Sequence, residues 1–229
     1  YIVLVFQAES TLTVVASATV LALAMVGIGF NVQHDGNHGT FSKHPFINRA
    51  AGFTLDLMGA SSYFWGDKHN HNHHVHTNIT DEDADIALGP LARMAEDQPW
   101  YWWHRYQHVY LWILYTMVHL RYLWSDFQRL ALGKNDGLTA GYPKGGDFVA
   151  ILLGKAFFLT VAFVIPMSLH PVGRVLGIYV LVSMTMGVLF SVVFQCAHSV
   201  DIVDHPRTSE TSHPEWVIHQ VNTTANFAT

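Results

Sequence analysis

From Thr11 to Phe30 the chain reads TLTVVASATVLALAMVGIGF without one charged position, and a helix of about 20 apolar residues suffices to cross a bilayer. This predicts a transmembrane span over about 11–31. Tyr1 to Phe6 (YIVLVF) is apolar too, and the polar break at Gln7, Glu9 and Ser10 makes it the tail of an earlier span. A signal peptide is disfavoured because no basic n-region or small-residue cleavage site frames it. A second hydrophobic block starts near Phe148 as FVAILLGKAFFLTVAFVIPMSL, breaks at His170, Pro171 and Gly173, and resumes as VLGIYVLVSMTMGVLFSVVF from Val175 to Phe194. It predicts a helical hairpin with spans over about 148–169 and 175–195. Lys155, near the start of its first helix, is expected to snorkel to the interface, and Pro166 to kink the far end.

Residues 31 to 147, between the two blocks, hold nine of the 12 basic residues, whereas the short connection after Leu169 offers only Arg174. The positive-inside rule puts the middle region in the cytosol. Both hydrophobic blocks then deliver their C-terminal ends to one face. Trp100 to Trp124 (WYWWHRYQHVYLWILYTMVHLRYLW) is crowded with aromatics, which favour the headgroup level, so it predicts a helix lying at or dipping into the interface. His104 and His108, spaced i, i+4 within it, read as interfacial residues. The fold class expected is an all-α integral membrane protein: two transmembrane helical hairpins with a cytosolic helical cap, forming one domain over 1–229.

Composition agrees, since half of the residues are hydrophobic and 13% are charged, an unusual balance for a soluble protein. A net charge of −5 with only 12 Lys and Arg leaves no basic surface for nucleic acid. The lone Cys196 cannot form an intramolecular disulfide and is expected to be buried and inert. The chain opens at Tyr1 and stops at Thr229 without an obvious terminating signal, so it reads as a fragment.

The 16 histidines change the picture because they are clumped. His34 and His38 in HDGNH follow the first span, and i, i+4 spacing on a helix can bring two imidazoles to one metal. Asp35 and Asn37 are candidate partners that orient those rings. KHNHNHHVHTN, from Lys68 to Asn78, repeats the i, i+4 spacing at His69 and His73, and His74 lies about 100° further around a helix. Such a fan can serve two metals. His198, in FSVVFQCAHSVD beyond the last span, emerges on the same face. Imidazole-rich sites suit iron, copper or zinc better than magnesium or calcium. Soluble di-iron bundles use paired Glu-x-x-His motifs, whereas Glu210 to His213 is a single copy followed by Pro214, which excludes that architecture. Asp81, Glu82, Asp83 and Asp85 read first as a solvated loop, with contact to a substrate headgroup or an electron donor as the alternative.

On these residues the chain resembles the membrane fatty acid desaturases, most closely their front-end or linoleoyl-CoA-type branch. That family shows an HxxxH box after a transmembrane helix, then HxxHH or HxxxHH, then QxxHH or HxxHH. HDGNH matches the first box, and HNHNHHVHTN fits the branch pattern HNxxHHxxTN. The resemblance implies His34, His38, His69, His73 and His74 as metal ligands, with His71 and His76 at variable positions. His198 resembles an additional histidine that completes the iron sphere. EWVIHQVNTTANFA, from Glu215 to Ala228, resembles the branch as well, and its His219 falls near the site without being taken as a ligand. The third box is expected past Thr229.

The resemblance implies two non-haem iron ions with O2 as co-substrate, and removal of two hydrogens from a fatty acyl-CoA or acyl lipid to leave a cis double bond. It further implies a separate electron donor, cytochrome b5 or a ferredoxin with its reductase. The location expected is the bacterial inner membrane, or the endoplasmic reticulum in a eukaryote, with the active site on the cytosolic face. Rival readings are a lipid hydroxylase of the same superfamily, an intramembrane zinc metalloprotease and a metal transporter. The protease needs Glu where HDGNH has Asp35 and leaves the second cluster unexplained. The transporter needs ligands at membrane depth, whereas these lie at the helix ends.

Overall fold

Among the described residues, three helices are long and apolar enough to cross a membrane: Thr11–Asn37, Gly145–Leu169 and Val172–His198. The computed structural model describes residues 1–133, 140–200, 202–207 and 216–225, and among these there is no β-strand. The Glu210 to His213 string lies outside the described residues, as do both ends of the Glu215 to Ala228 stretch. In chain order the elements are α1 (Ile2–Phe6), α2 (Thr11–Asn37), α3 (Pro45–Leu57), α4 (Ser62–Gly66), α5 (Gln107–Thr116), α6 (Val118–Leu132), α7 (Gly145–Leu169), α8 (Val172–His198) and α9 (Trp216–Thr223).

α2 begins at Ser10, whose hydroxyl accepts a hydrogen bond from the Thr13 amide at 3.1 Å and so satisfies one of the free donors of the first turn. The helix then runs past its apolar stretch through a π-helical turn, Gly29–Gln33, to end in the first histidine box. α8 packs along it. Ala18 and Ala22 are fully buried against Val182 and Met186 of α8, with Leu4 of α1 alongside, and small residues are what allow such helices to approach closely. In α7 a second π turn, Thr160–Val164, precedes Pro166. Proline lacks an amide proton and crowds the preceding turn, and the widened turn absorbs both effects.

α3 lies where charge and composition predicted only a cytosolic stretch. Pro45 occupies its first turn, and Asn48, Ala51, Gly52, Leu55 and Asp56 form one buried face, the spacing of an amphipathic helix. It crosses the end of α2 tightly, because a Cβ on Gly36 would lie 2.4 Å from the Gly52 amide nitrogen. The close approach of the histidine box to α3 depends on that glycine and on Gly52, where a Cβ would meet Asn37 Oδ1 at 2.8 Å.

The aromatic segment is two helices rather than one, broken at Met117. The break reaches α8 at Gly187, where a Cβ would meet the Tyr115 carbonyl oxygen at 2.4 Å. Eleven residues separate Gly187 from His198, roughly 16 Å of helix, so the segment dips well below the histidine end of α8. His104 is buried within the protein. Its Nε2 donates to the Pro90 carbonyl at 3.0 Å and its Nδ1 accepts from the Tyr101 amide at 3.3 Å, which pins a 3-10 turn. His108 stays exposed.

Two further expectations are overturned. Lys155 does not snorkel: it is buried, and its ammonium donates to Asp126 Oδ2 of α6 at 2.7 Å and to the Gly59 carbonyl. A counter-charge brought by α6 removes the need to reach water. Cys196 is exposed. It lies about 140° around α8 from the buried Ser191, on the side turned away from the bundle. Between α1, α2, α7 and α8 a cavity of about 260 Å³ remains, lined by Leu4, Met25, Met58, Phe158, Tyr179 and Val182 among others.

Candidate metal centre

His34 and His38 are joined by a regular helical turn, with the His38 amide donating to the His34 carbonyl at 3.0 Å, and their rings lie 4.5 Å apart. The second box departs from the α-helical geometry that its spacing predicts. It continues α4 as a π turn, Asp67–His73, and the His74 amide reaches back five residues to the His69 carbonyl at 2.9 Å. Such a turn puts residues five apart on one face. His69 therefore meets His74, Nε2 to Nε2 at 3.1 Å, while His73 turns to His198, with ring centroids 4.5 Å apart.

All six predicted histidines come together. Donor atoms of His34, His38, His69 and His74 lie within 4.8 Å of one another, and so do those of His73, His74 and His198. His74 belongs to both groups. His69 Nε2 is also 3.3 Å from His34 Nε2, which closes the first group across the two boxes. A third grouping, His69, His73 and Asp85, meets the same distance limit, but Lys68 already takes one oxygen of Asp85.

Burial disfavours the imidazolium form here, and neighbouring imidazoles add to it. His69 is held far below the ordinary histidine range by burial and then by His74 and His73. Burial and then His73 push His74 down to about 3, and burial and then His34 lower His38. These rings are neutral at pH 7. Nε2 of His38 and Nε2 of His73 are buried with no hydrogen-bond partner, an arrangement that is costly unless a cation takes the lone pairs. The donor set fits a transition metal: imidazoles converge, and the nearby Lys68 is engaged by Asp85.

The polar surroundings differ from residue to residue. Asp35 Oδ1 accepts from His34 Nδ1 at 3.3 Å. Asn37 does not touch an imidazole. It donates to Gln33 Oε1 at 2.8 Å, and its carbonyl accepts from Asn70 Nδ2 at 2.8 Å, which ties the first box to the second. His71 faces Asp67, His76 faces Glu82 at 3.0 Å, and His219 contacts Thr223. The acidic run is not simply a solvated loop, because Asp83 is fully buried against His73. Nothing in its spacing announced this. Asn78 was missed as well; it sits at φ 59°, a conformation that Asn tolerates better than most residues, and that was the available signal.

Trp65 stacks on His69, centroids 4.2 Å apart at 25°. It belongs to an apolar layer with Leu55, Met58 and Ala60, against which Met25 and Phe194 pack. Met25 and Met58 also line the cavity, so this layer runs from the imidazoles to the cavity wall.

The family model for fatty acid desaturases matches residues 10–229. The chain belongs to the fatty acid desaturase family. Among the relatives of this desaturase chain is the sn-1 linoleoyl-lipid 6-desaturase of Arthrospira platensis, 35% identical over 216 residues, covering 91% of this chain and 58% of that protein. The protein of the same name from Synechocystis sp. is also 35% identical, covering 92% and 60%. The acyl-lipid (8-3)-desaturase of Physcomitrium patens is 32% identical over 100% of this chain and 49% of that protein. The chain thus spans about half the length of the curated relatives it matches. No solved structure matches.

Proposed function

We propose that this chain carries the catalytic site of an O2-dependent fatty acyl desaturase, with His34, His38, His69, His73, His74 and His198 as ligands to two iron ions. The carrying observation is the pair of imidazole groups sharing His74, set against an apolar layer that leads to a cavity. The substrate is an acyl-CoA or an acyl lipid, and the names of the relatives, linoleoyl-lipid and acyl-lipid desaturases, favour the lipid. Its apolar tail occupies the cavity between the helices, which has almost no polar lining. The histidine ends of α2 and α8 with α3 and α4 form a cap on the cytosolic face, above two transmembrane hairpins and with α5 and α6 dipping beside α8, in a bacterial inner membrane. A separate cytochrome b5 or ferredoxin system supplies electrons.

A bound iron pair provides the oxidising power that no side-chain acid or base has against an unactivated C–H bond. The protein's own part is to hold and to exclude. Neutral imidazoles donate lone pairs without filling every position of a metal. Trp65 and Phe194 keep water from the inner side of His69. The second group has three imidazoles where the first has four, and a third box, QxxHH or HxxHH, past Thr229 would supply further ligands.

The test is product analysis with the full-length gene product in membranes supplied with reductant and O2. An acyl product lighter by two hydrogens is expected. A gain of one oxygen would instead establish the hydroxylase, and purified protein holding one zinc and no iron would establish the metalloprotease.

A further inference from the structure

Asp83 has no surface in contact with solvent, so protein donors must replace all of its hydration. Four contacts do this. Oδ1 and Oδ2 each lie 3.0 Å from His73 Nδ1, Oδ2 accepts from the Asn78 amide at 2.9 Å, and Oδ1 accepts from the Asp85 amide at 2.8 Å. An ionised carboxylate can only accept, so Nδ1 of His73 carries a proton and Nε2 is the nitrogen whose lone pair can meet a metal. That Nε2 is the buried atom without a partner, and it is the nitrogen left to join His74 and His198.

Asn78 extends the same device to the other side of the group. Fully buried, its Nδ2 donates to the His198 carbonyl at 2.6 Å and to the Thr223 carbonyl at 2.7 Å. Through its own amide it also holds Asp83. Two neighbouring loop residues thus orient one imidazole and anchor the backbone of another. In the first group the corresponding contact is looser, since Asp35 meets His34 at 3.3 Å with about half of its side chain exposed.

We propose that Asp83 is the positioning residue of the second metal position, the one formed by His73, His74 and His198, selecting Nε2 of His73 as its donor. The inference rests on the metal-binding reading above. It also excludes the grouping of His69, His73 and Asp85 as a metal position, since Asp83 occupies the nitrogen that faces the acidic loop. Asp83 acts through His73 and touches no substrate.

The experiment compares iron content and Mössbauer spectra of the full-length protein and its Asp83→Asn variant, both purified in detergent and loaded anaerobically with ferrous iron. The variant keeps side-chain volume but loses the charge and gains an N–H where an acceptor is needed. Outer partners of this kind change metal affinity by about 10- to 100-fold. At iron concentrations that just saturate the wild type, content should therefore fall from about two to about one per chain, with one spectral component lost. Two irons with an unchanged spectrum in the variant overturn the inference, and so does parallel loss of both irons from a protein that elutes as a folded monodisperse species. Wild-type protein without iron sinks the metal reading and this inference with it. If the Asn variant does not fold, Asp83→Glu replaces it. Its retained carboxylate should hold both irons with one weakened about 10-fold, and equal weakening of both overturns the proposal.

Discussion

Two buried polar clusters in this molecule meet the cost of burial in opposite ways. In the first, Lys155 of α7 pairs with Asp126 of α6 and donates again to the Gly59 carbonyl. Opposite charges answer each other there, and both side chains are almost fully buried. In the second, six imidazoles are drawn together, burial holds those of the second box other than His73 neutral, and two buried nitrogens are left without a partner. A polar cluster whose valences are filled fastens helices, whereas one with convergent empty lone pairs is built to receive something. His73 stands between the two kinds. Burial opposes its charge, but the hydrogen bond to Asp83 and the charges of Asp85 and Asp83 prevail and raise it above the ordinary value.

The largest break in this contrast is His74→Ala, which removes the nitrogen common to both imidazole groups. Loss of both metals and a fall in desaturation of more than about 100-fold are expected, read by metal analysis and product chromatography, while the thermal midpoint of the metal-free protein stays near the wild type. Lys155→Met should do the reverse. It leaves Asp126 buried and unpaired at a cost of about 3–5 kcal/mol, seen as a lower denaturation midpoint in detergent, with iron per folded chain unchanged. The double variant Lys155→Met, Asp126→Leu should recover that stability, because a buried pair replaced by apolar residues costs little.

Gly36→Ala tests whether packing positions the receiving cluster. The added methyl would overlap the backbone of α3 at Gly52, with an expected loss of about 1–3 kcal/mol and weakened binding in the group that holds His34 and His38. The smallest effect is on pH dependence. Folding lowers the proton affinity of His38, His69 and His74, so below the unfolded value near 6.5 the unfolded chain binds more protons than the folded one. Stability of the metal-free protein should therefore decline as pH falls from about 6.5, with the His74 share growing until about pH 3. His74→Asn should flatten that slope in thermal melts taken between about pH 7.5 and 4.5.

Much of this was open to a reader of the sequence. Twenty uncharged residues from Thr11 to Phe30 have few fates other than a long apolar helix, and histidines at box spacing after such helices mark the candidate site by residue type alone. Local order carries that information, because an apolar run and a box are each contiguous. What the tertiary structure decided involves partners distant in sequence or changes in helical turn. The π turn over Asp67–His73 reassigned His69 to His74 and His73 to His198, and spacing rules that assume 3.6 residues per turn cannot anticipate it. Lys155 found Asp126, 29 residues away, instead of the interface, and Cys196 fell on the outward side of a helix whose rotation only packing sets. Asp83 looked like one acid in a solvated run until the fold closed over it. A carboxylate's role depends on which donors replace its water, and those donors are chosen by the fold.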